Sequence, residues 1–334
     1  MKKVVVTGGT GFVAGWVIVD FLQAGYQVST SLRSMKKADW LKKEIAGAVS
    51  EDEIENLSFF EADLTSDKNW VENIKGADGV IHVASPMGNG TQSVEELVSV
   101  AKNGTLTVLK AAKDAGVKRV VMTSSQAAST PESGSTETLD ESFWTDVDNP
   151  DLDPYRISKV ESEKAAWEFA NENDLELTTI LPGAIFGPIL SEKAVSSNRI
   201  MLQLLKGLPV IPNVDLEVSD VRDLARLHRL AFENPSAIGK RYLAASQKIP
   251  MAGVTKVYQI NFPYKKLKIR ILPNWGTKFL ARFVPSLRAL VPILDRKYSH
   301  TTAAAENDLG WTQHTPEQTV LDAAKTLIRF NLDK

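Results

Sequence analysis

Three side chains of this 334-residue sequence have the types and spacing to put a proton on a carbonyl oxygen: Ser125, Tyr155 and Lys159. The run Tyr155-Arg156-Ile157-Ser158-Lys159 sets a phenol and an ammonium four residues apart, hence on one face of a helix. A free tyrosine titrates near 10 and gives up its proton poorly at neutral pH. An ammonium ~4 Å away in an effective dielectric of ~20 favours the phenolate by roughly 4 kcal/mol, before desolvation is subtracted. With that help Tyr155 can protonate an oxygen as hydride arrives at the attached carbon. Ser125 can hydrogen-bond the same oxygen and hold it in reach, and Lys159 can also grip ribose hydroxyls. Tyr-x-x-x-Lys alone is common on amphipathic helices, so its weight depends on what accompanies it.

What accompanies it is a cradle for a dinucleotide. Thr7-Gly8-Gly9-Thr10-Gly11-Phe12-Val13-Ala14 follows the apolar Val4-Val5-Val6 and opens a helix-period segment. Gly8 or Gly9 lets the chain turn sharply off a strand, Gly11 lets backbone approach a pyrophosphate, and Ala14 keeps the helix close to the strand. Thr10, Phe12 and Val13 lead into a helix N-terminus whose unpaired N–H groups face the anion. Phe12, Trp16, Val19 and Leu22 recur at helical spacing, and Gly25 ends the pattern.

The end of the second strand selects the dinucleotide. An NAD-selective site places an acid there to bond the ribose 2′-OH. This chain has Ser31-Leu32-Arg33-Ser34, followed by Lys36 and Lys37. Arg33 suits a 2′-phosphate, stacking on adenine while its fork meets the phosphate. Lys37 adds charge nearby, whereas Lys36 reads as a solvated surface lysine. Asp63-Leu64, beyond the third strand, brackets the adenine, or else Asp63 caps a helix beginning at Thr65. The cofactor expected is NADP(H).

The elements that must position these groups are short β-rich runs alternating with helix-period segments. The predicted strands are Lys3 to Val6, Gln27 to Leu32, Ser58 to Glu61, Gly79 to Ala84, Arg119 to Thr123, Glu176 to Leu181 and Arg241 to Ala244. Helical stretches include Val94 to Asp114 and Val160 to Glu172. This alternation predicts an α/β fold, a doubly wound, mostly parallel sheet with its chemistry at the strand C-termini. After Pro182 the texture becomes proline-rich and irregular. Residues 1–182 and 213–247 are expected to form the dinucleotide-binding domain, and 183–212 with 248–334 a smaller, discontinuous substrate lobe. The acid-rich stretch Pro131 to Pro154 reads as a mobile loop.

Composition excludes other classes. A net charge of −2 without long basic runs disfavours nucleic acid. The absence of cysteine removes disulfides, thiol nucleophiles and thiolate metal sites. No stretch approaches the roughly 18 apolar residues of a membrane span, and the apolar run after Met1-Lys2-Lys3 is too short for a signal peptide. His82, His228, His300 and His314 lack metal-ligand spacing and read as structural, so no metal is expected. There is no Gly-x-Ser-x-Gly elbow for an esterase. Asp220 to Asp223 reads as a helix cap rather than a glycosidase carboxylate pair. The expectation is a cytoplasmic protein, monomer or homodimer, whose partner is a small-molecule carbonyl compound and not a nucleic acid or membrane.

Further motifs carry a resemblance: Val83-Ala84-Ser85-Pro86, Asn103-Gly104-Thr105, Thr123-Ser124-Ser125, Asp140-Glu141-Ser142-Phe143-Trp144, Leu181-Pro182-Gly183, Phe186-Gly187-Pro188 and Asp220-Val221-Arg222-Asp223. With the glycine turn, Arg33 and Tyr155 to Lys159, they span nearly the whole chain. It resembles the extended short-chain dehydrogenases/reductases, specifically the dihydroflavonol 4-reductase-like group of NADPH-dependent aldehyde and ketone reductases. The resemblance implies a Rossmann sheet and a Ser125, Tyr155, Lys159 triad. It also implies cofactor contacts from Val83, Ala84, Ser85, Thr123, Pro182, Ile185 and Ser197, with Ala84 and Ser85 flanking the nicotinamide half and Pro182 with Ile185 positioning its ring. Met87, Gln126 and Phe186 are expected on the substrate wall; Trp275 and Phe279 are either wall or core. Plant flavonoid reductases carry asparagine where this chain has Thr130, and their loop before the tyrosine is longer, so aldehydes, ketones and keto esters are the expected substrates. Two other classes use parts of this set: a sugar-nucleotide epimerase or dehydratase that retains NAD, which Arg33 argues against, and a non-catalytic NADP-sensing module, which has no need of the triad.

Overall fold

Val4, Val5 and Val6 are wholly buried, as a strand covered on both faces requires, and they belong to the first strand of a seven-stranded sheet in a computed structural model. The structure describes residues 1–85, 93–149, 152–288 and 290–334. The first elements are β1 (Lys3–Val6), α1 (Phe12–Gln23), β2 (Gln27–Leu32), β3 (Leu57–Glu61), β4 (Gly79–His82) and β5 (Arg119–Thr123). The sheet runs Arg241–Leu243, Glu176–Leu181, β5, β4, β1, β2, β3, with every pair parallel. Helices Val94–Asp114 and Pro154–Glu172 lie between its strands in sequence. The fold is the doubly wound Rossmann arrangement that the alternating pattern predicts.

The strand order reverses between β1 and β4, which opens a crevice beyond the C-terminal ends of those two strands. The glycine turn leaves β1 at this point, and Val83 to Ser85 leave β4. β4 stops at His82, two residues before the expected end. The N–H groups of Val83 and Ala84 leave the ladder to donate to Thr7 Oγ1, at 3.0 and 2.9 Å.

A second sheet stands beside the first. Asp215–Asp220 pairs in parallel with Ala184–Phe186 and antiparallel with Lys248–Pro250. Asp215–Asp220, expected within the dinucleotide-binding domain, therefore joins the smaller sheet, and its Val218 packs in that sheet's core. Val221–Glu233 and Arg241–Leu243 then return to the main sheet. Helix α1 ties the two cores together: Val17 and Ile18 belong to the main core and Phe12 to the second, while Val13 and Trp16 pack against both.

The helix expected from Val160 begins at Pro154. Asp153 caps it, its carboxylate accepting from Arg156 N at 2.9 Å, and Pro154 fills the first helical position, where no N–H is needed. Tyr155 therefore sits in the first turn. The acid-rich segment before the helix is anchored, not free: Thr138–Leu139 pairs with Ser299–His300, and Arg241 Nη1 donates to the carbonyls of Glu141 and Phe143 at 2.8 Å.

Candidate functional site

The glycine turn has the shape of an anion cradle. Gly8 has φ +76°, and a Cβ there would stand 2.8 Å from Ala84 Cβ, so the β1 and β4 exits meet in a space only glycine leaves open. Gly8 N donates to Ser31 Oγ at 2.9 Å, and Gly11 N to Gly8 O at 2.9 Å. Gly11 caps α1 without a side chain. Among the described residues the N–H groups of Phe12 and Val13 have no backbone partner, and Thr10, half-buried, precedes them in the turn. These are the unsatisfied donors a pyrophosphate takes up.

Arg33 and Lys37 stand exposed just beyond β2, and neither makes an ion pair among the described residues. Arg33 does lower the pKa of Asp63, although the larger causes are the hydrogen bonds of Thr65. Asp63 Oδ1 accepts from Thr65 N and Thr65 Oγ1 at 2.9 and 2.8 Å. That is a local turn; the next helix begins only at Trp70, so no helix starts at Thr65. Leu64 is half-buried beside it.

Ser125 and Tyr155 line one cleft of about 490 Å³, together with Gln126 and Pro182. Ser125 ends the β5 exit and caps the 3-10 turn Gln126–Ser129, its Oγ accepting from Ala127 N at 3.1 Å. Tyr155 is 43% exposed. One turn further along its helix, Lys159 Nζ lies 5.5 Å from the Tyr155 ring centroid and donates to Ser85 Oγ at 2.8 Å. Lys159 thus links the tyrosine to the β4 exit that closes over Gly8. Gln126 is buried: its Nε2 donates to Ala245 O at 2.6 Å, while its Oε1 has no partner among the described residues. Sequence reasoning missed Arg156 and Arg296, which line the same cleft. Arg156 lies between two residues already singled out, a signal that was legible; Arg296 reaches the cleft from a distant loop and left none.

Other expected residues stand elsewhere. Phe186 is 1% exposed and packs in the second core with Met201 and Val218. It is not on the cleft wall, because strand alternation turns it inward. Ile185 is half-buried, and its carbonyl accepts a hydrogen bond from Ser197 Oγ. Thr123 Oγ1 is engaged with His228 Nε2 at 2.7 Å. Trp275 and Phe279 are 76% and 53% exposed and do not line the cleft. Met87 lies outside the described residues. Asp220 caps Val221–Glu233, accepting from Arg222 N at 2.9 Å.

Two buried histidines beneath the site give the fold an acid limit. Thr7 Oγ1 accepts two N–H bonds, so its own proton goes to His82 Nδ1 at 2.9 Å and that histidine is neutral. Burial, then the Lys159 ammonium, pushes the His82 pKa down to about 3. Burial takes His228 down to about 4. The unfolded chain binds these protons as pH falls through 6.5 and the folded chain does not. Stability is therefore full at neutral pH and declines from there toward pH 4, with a slope approaching about 1.4 kcal/mol per pH unit for each histidine. Urea midpoints measured from neutral pH down to about 5 check this; a flat profile would overturn it.

Cradle, cleft and topology together define a Rossmann-fold protein of the extended short-chain dehydrogenase/reductase class. Residues 4–245 match the model of the NAD dependent epimerase/dehydratase family, and the chain belongs to that family. Dihydroflavonol 4-reductase of Hordeum vulgare is 36% identical over 273 residues, 78% of this chain and 75% of that protein. Cinnamoyl-CoA reductase CAD2 of Medicago truncatula is 36% identical over 251 residues, 72% of this chain and 75% of the relative. Among solved structures, yeast methylglyoxal/isovaleraldehyde reductase Gre2 complexed with NADPH superposes with TM-score 0.82 at 26% identity, covering 99% of this chain and 100% of that one. Gre2 of Candida albicans in complex with NADPH gives TM-score 0.82 at 30% identity, covering 99% of both chains.

Proposed function

We propose that this protein is an NADPH-dependent reductase of aldehydes, ketones or keto esters, reversible toward alcohol oxidation. One observation carries the reading: Ser125 and Tyr155 line a single cleft, and Lys159, on the tyrosine's helix, is hydrogen-bonded to Ser85 where the chain leaves β4. The dinucleotide fits the residues present. Glycine leaves open the space a Cβ would fill at position 8, and among the described residues the donors at Phe12 and Val13 are unsatisfied and Arg33, just beyond β2, makes no ion pair. In this reading Gly8, Thr10, Gly11, Phe12 and Val13 hold the pyrophosphate, Arg33 and Lys37 the 2′-phosphate, and Ala84, Ser85 and Pro182 the nicotinamide half. The two NADPH-complexed neighbours support the choice of cofactor.

Bound there, NADPH supplies the hydride. Ser125 donates a hydrogen bond to the substrate oxygen and fixes its distance from Tyr155. Tyr155 delivers its phenolic proton to the same oxygen as negative charge develops on it. Lys159 places a positive charge beside the phenol, which stabilises the phenolate left behind. Loss of NADPH absorbance against a panel of aldehydes, diketones and keto esters tests the function. Cofactor binding without oxidation on any member would instead mark a non-catalytic sensing protein.

Arg33→Ala is expected to raise the KM for NADPH by roughly tenfold to a hundredfold, the worth of hydrogen bonds to a charged group, with little change for NADH. Steady-state kinetics with both cofactors checks this. Equal changes for the two would remove the 2′-phosphate role.

A further inference from the structure

From Asn234 to Leu294 the chain carries eleven lysines and arginines and no aspartate or glutamate, leaving 28 basic against 41 acidic residues elsewhere. The near-neutral total therefore hides a strongly basic region on an acidic protein. That region also gathers exposed apolar groups. Seven of the thirteen large apolar side chains that stand exposed among the described residues fall between Tyr264 and Val284.

The helix at the centre of this patch is built inside out. In Asn274–Leu280 the buried residues are Gly276 and Thr277, whereas Trp275 and Phe279 point outward, followed at the same interval by Phe283, 71% exposed. A surface helix of a soluble protein ordinarily turns its large apolar residues to the core. Here the inner face is small: a Cβ on Gly276 would come 2.9 Å from Leu272 Cδ1, so the first turn of the helix packs closely on the chain that leads into it. Trp275, Phe279 and Phe283 make one stripe, and the last two rings meet edge to face with centroids 5.7 Å apart. Ile271, on the short strand that precedes the helix, is 57% exposed. Lys266, Lys268, Arg270 and Arg282, close to the stripe in sequence, stand exposed without an ion pair among the described residues; Lys278 on this helix is paired, with Asp295 at 2.7 Å.

We propose that this face docks on an anionic lipid surface, the aromatic stripe entering the headgroup layer while the unpaired cations meet lipid phosphates. No helix among the described residues is long and apolar enough to cross a membrane, so the association is peripheral. Aromatic residues flanked by lysine and arginine suit that interface, where buried apolar area and attraction to anionic lipid add. A second copy of the chain is the weaker occupant. A two-fold contact sets the same patch against itself, and between Asn234 and Leu294 there is no acid to answer the cations. Single-stranded nucleic acid would match the cations and rings but leave Ile271 and Val284 unused. The patch also adjoins the cleft: Arg288, on its lining, donates to the carbonyls of Ala281 and Arg282 at 3.1 and 3.3 Å. Docking sets the cleft rim beside the headgroups, within reach of carbonyl compounds dissolved in the bilayer.

Co-sedimentation of the full chain with vesicles of phosphatidylglycerol and phosphatidylcholine tests the proposal. Binding is expected to fall by roughly tenfold or more on phosphatidylcholine alone or in high salt. It is expected to fall comparably in a Trp275→Ala, Phe279→Ala, Phe283→Ala variant and, on anionic vesicles only, in a Lys268→Ala, Arg270→Ala, Arg282→Ala variant. Both variants alter exposed side chains, and an unchanged thermal transition confirms their folding. Four results would overturn the proposal: no sedimentation with either vesicle, equal sedimentation of wild type and aromatic variant, a concentration-dependent dimer that the aromatic variant loses, or displacement from vesicles by a single-stranded oligonucleotide.

Discussion

Tyr155→Phe is expected to lower kcat by roughly a hundredfold to ten-thousandfold, the range for removing a general acid, while NADPH affinity stays close to wild type. The substitution takes away one hydroxyl and nothing else. The ring keeps its place over Lys159, and Lys159 keeps its bond to Ser85. Tyr155 is 43% exposed and none of the fold's hydrogen bonds among the described residues runs through its phenol, so stability should shift by no more than about 0.5 kcal/mol. Single-turnover reduction with saturating NADPH, beside fluorescence titration of the cofactor, separates chemistry from binding. Turnover at the wild-type rate would remove Tyr155 from the proton transfer and with it the mechanism.

The largest stability effect is expected at Glu163, a wholly buried carboxylate eight residues beyond the tyrosine on the same helix. It accepts from Ser124 Oγ at 2.6 Å, Thr179 Oγ1 at 2.7 Å and Arg241 Nε at 3.0 Å. One side chain thus fastens the helix to the β5 exit and to the two strands beyond it. Arg241 stacks 3.6 Å above the Trp144 ring and holds the Glu141 and Phe143 carbonyls, so its charge cannot leave when its partner does. Glu163→Ala leaves that guanidinium uncompensated, and a loss of about 3–5 kcal/mol is expected. Urea denaturation measures it. A loss below about 1 kcal/mol would mean that water or another acid takes over, and the anchoring role would fail.

What the sequence revealed and what it hid have physical reasons. β1, β2, β5 and Glu176–Leu181 keep their expected bounds; valine, isoleucine or threonine recurs in each, and β-branched side chains suit the extended backbone of a buried strand. The tyrosine helix was read too short because its apolar period starts at Val160; its first turn is specified instead by a cap and a proline, Asp153-Pro154, a signal present in the letters. The expected β4 is two residues longer than the observed one because the apolar run continues through Val83 and Ala84, while a threonine distant in sequence claims their donors. Phe186 was misplaced because apolar character does not say which side of a strand a residue takes. Asp63, left between adenine and a cap, proves to be held in a local turn by Thr65. The basic aromatic face was invisible in a net charge of −2, since an overall balance says nothing of where the charges lie.

Helix α1 constrains how ligands come and go. It carries Val17 and Ile18 in one core and Phe12 in the other, with Trp16 bridging and its indole donating to Pro188 O at 2.8 Å. A rigid-body hinge between the two sheets would have to pull one end of this helix out of its packing, exposing a phenylalanine at a cost of about 1.5–3 kcal/mol before any other contact is broken. Any ligand that separates the two sheets would have to offset that cost through its tighter binding to the separated state.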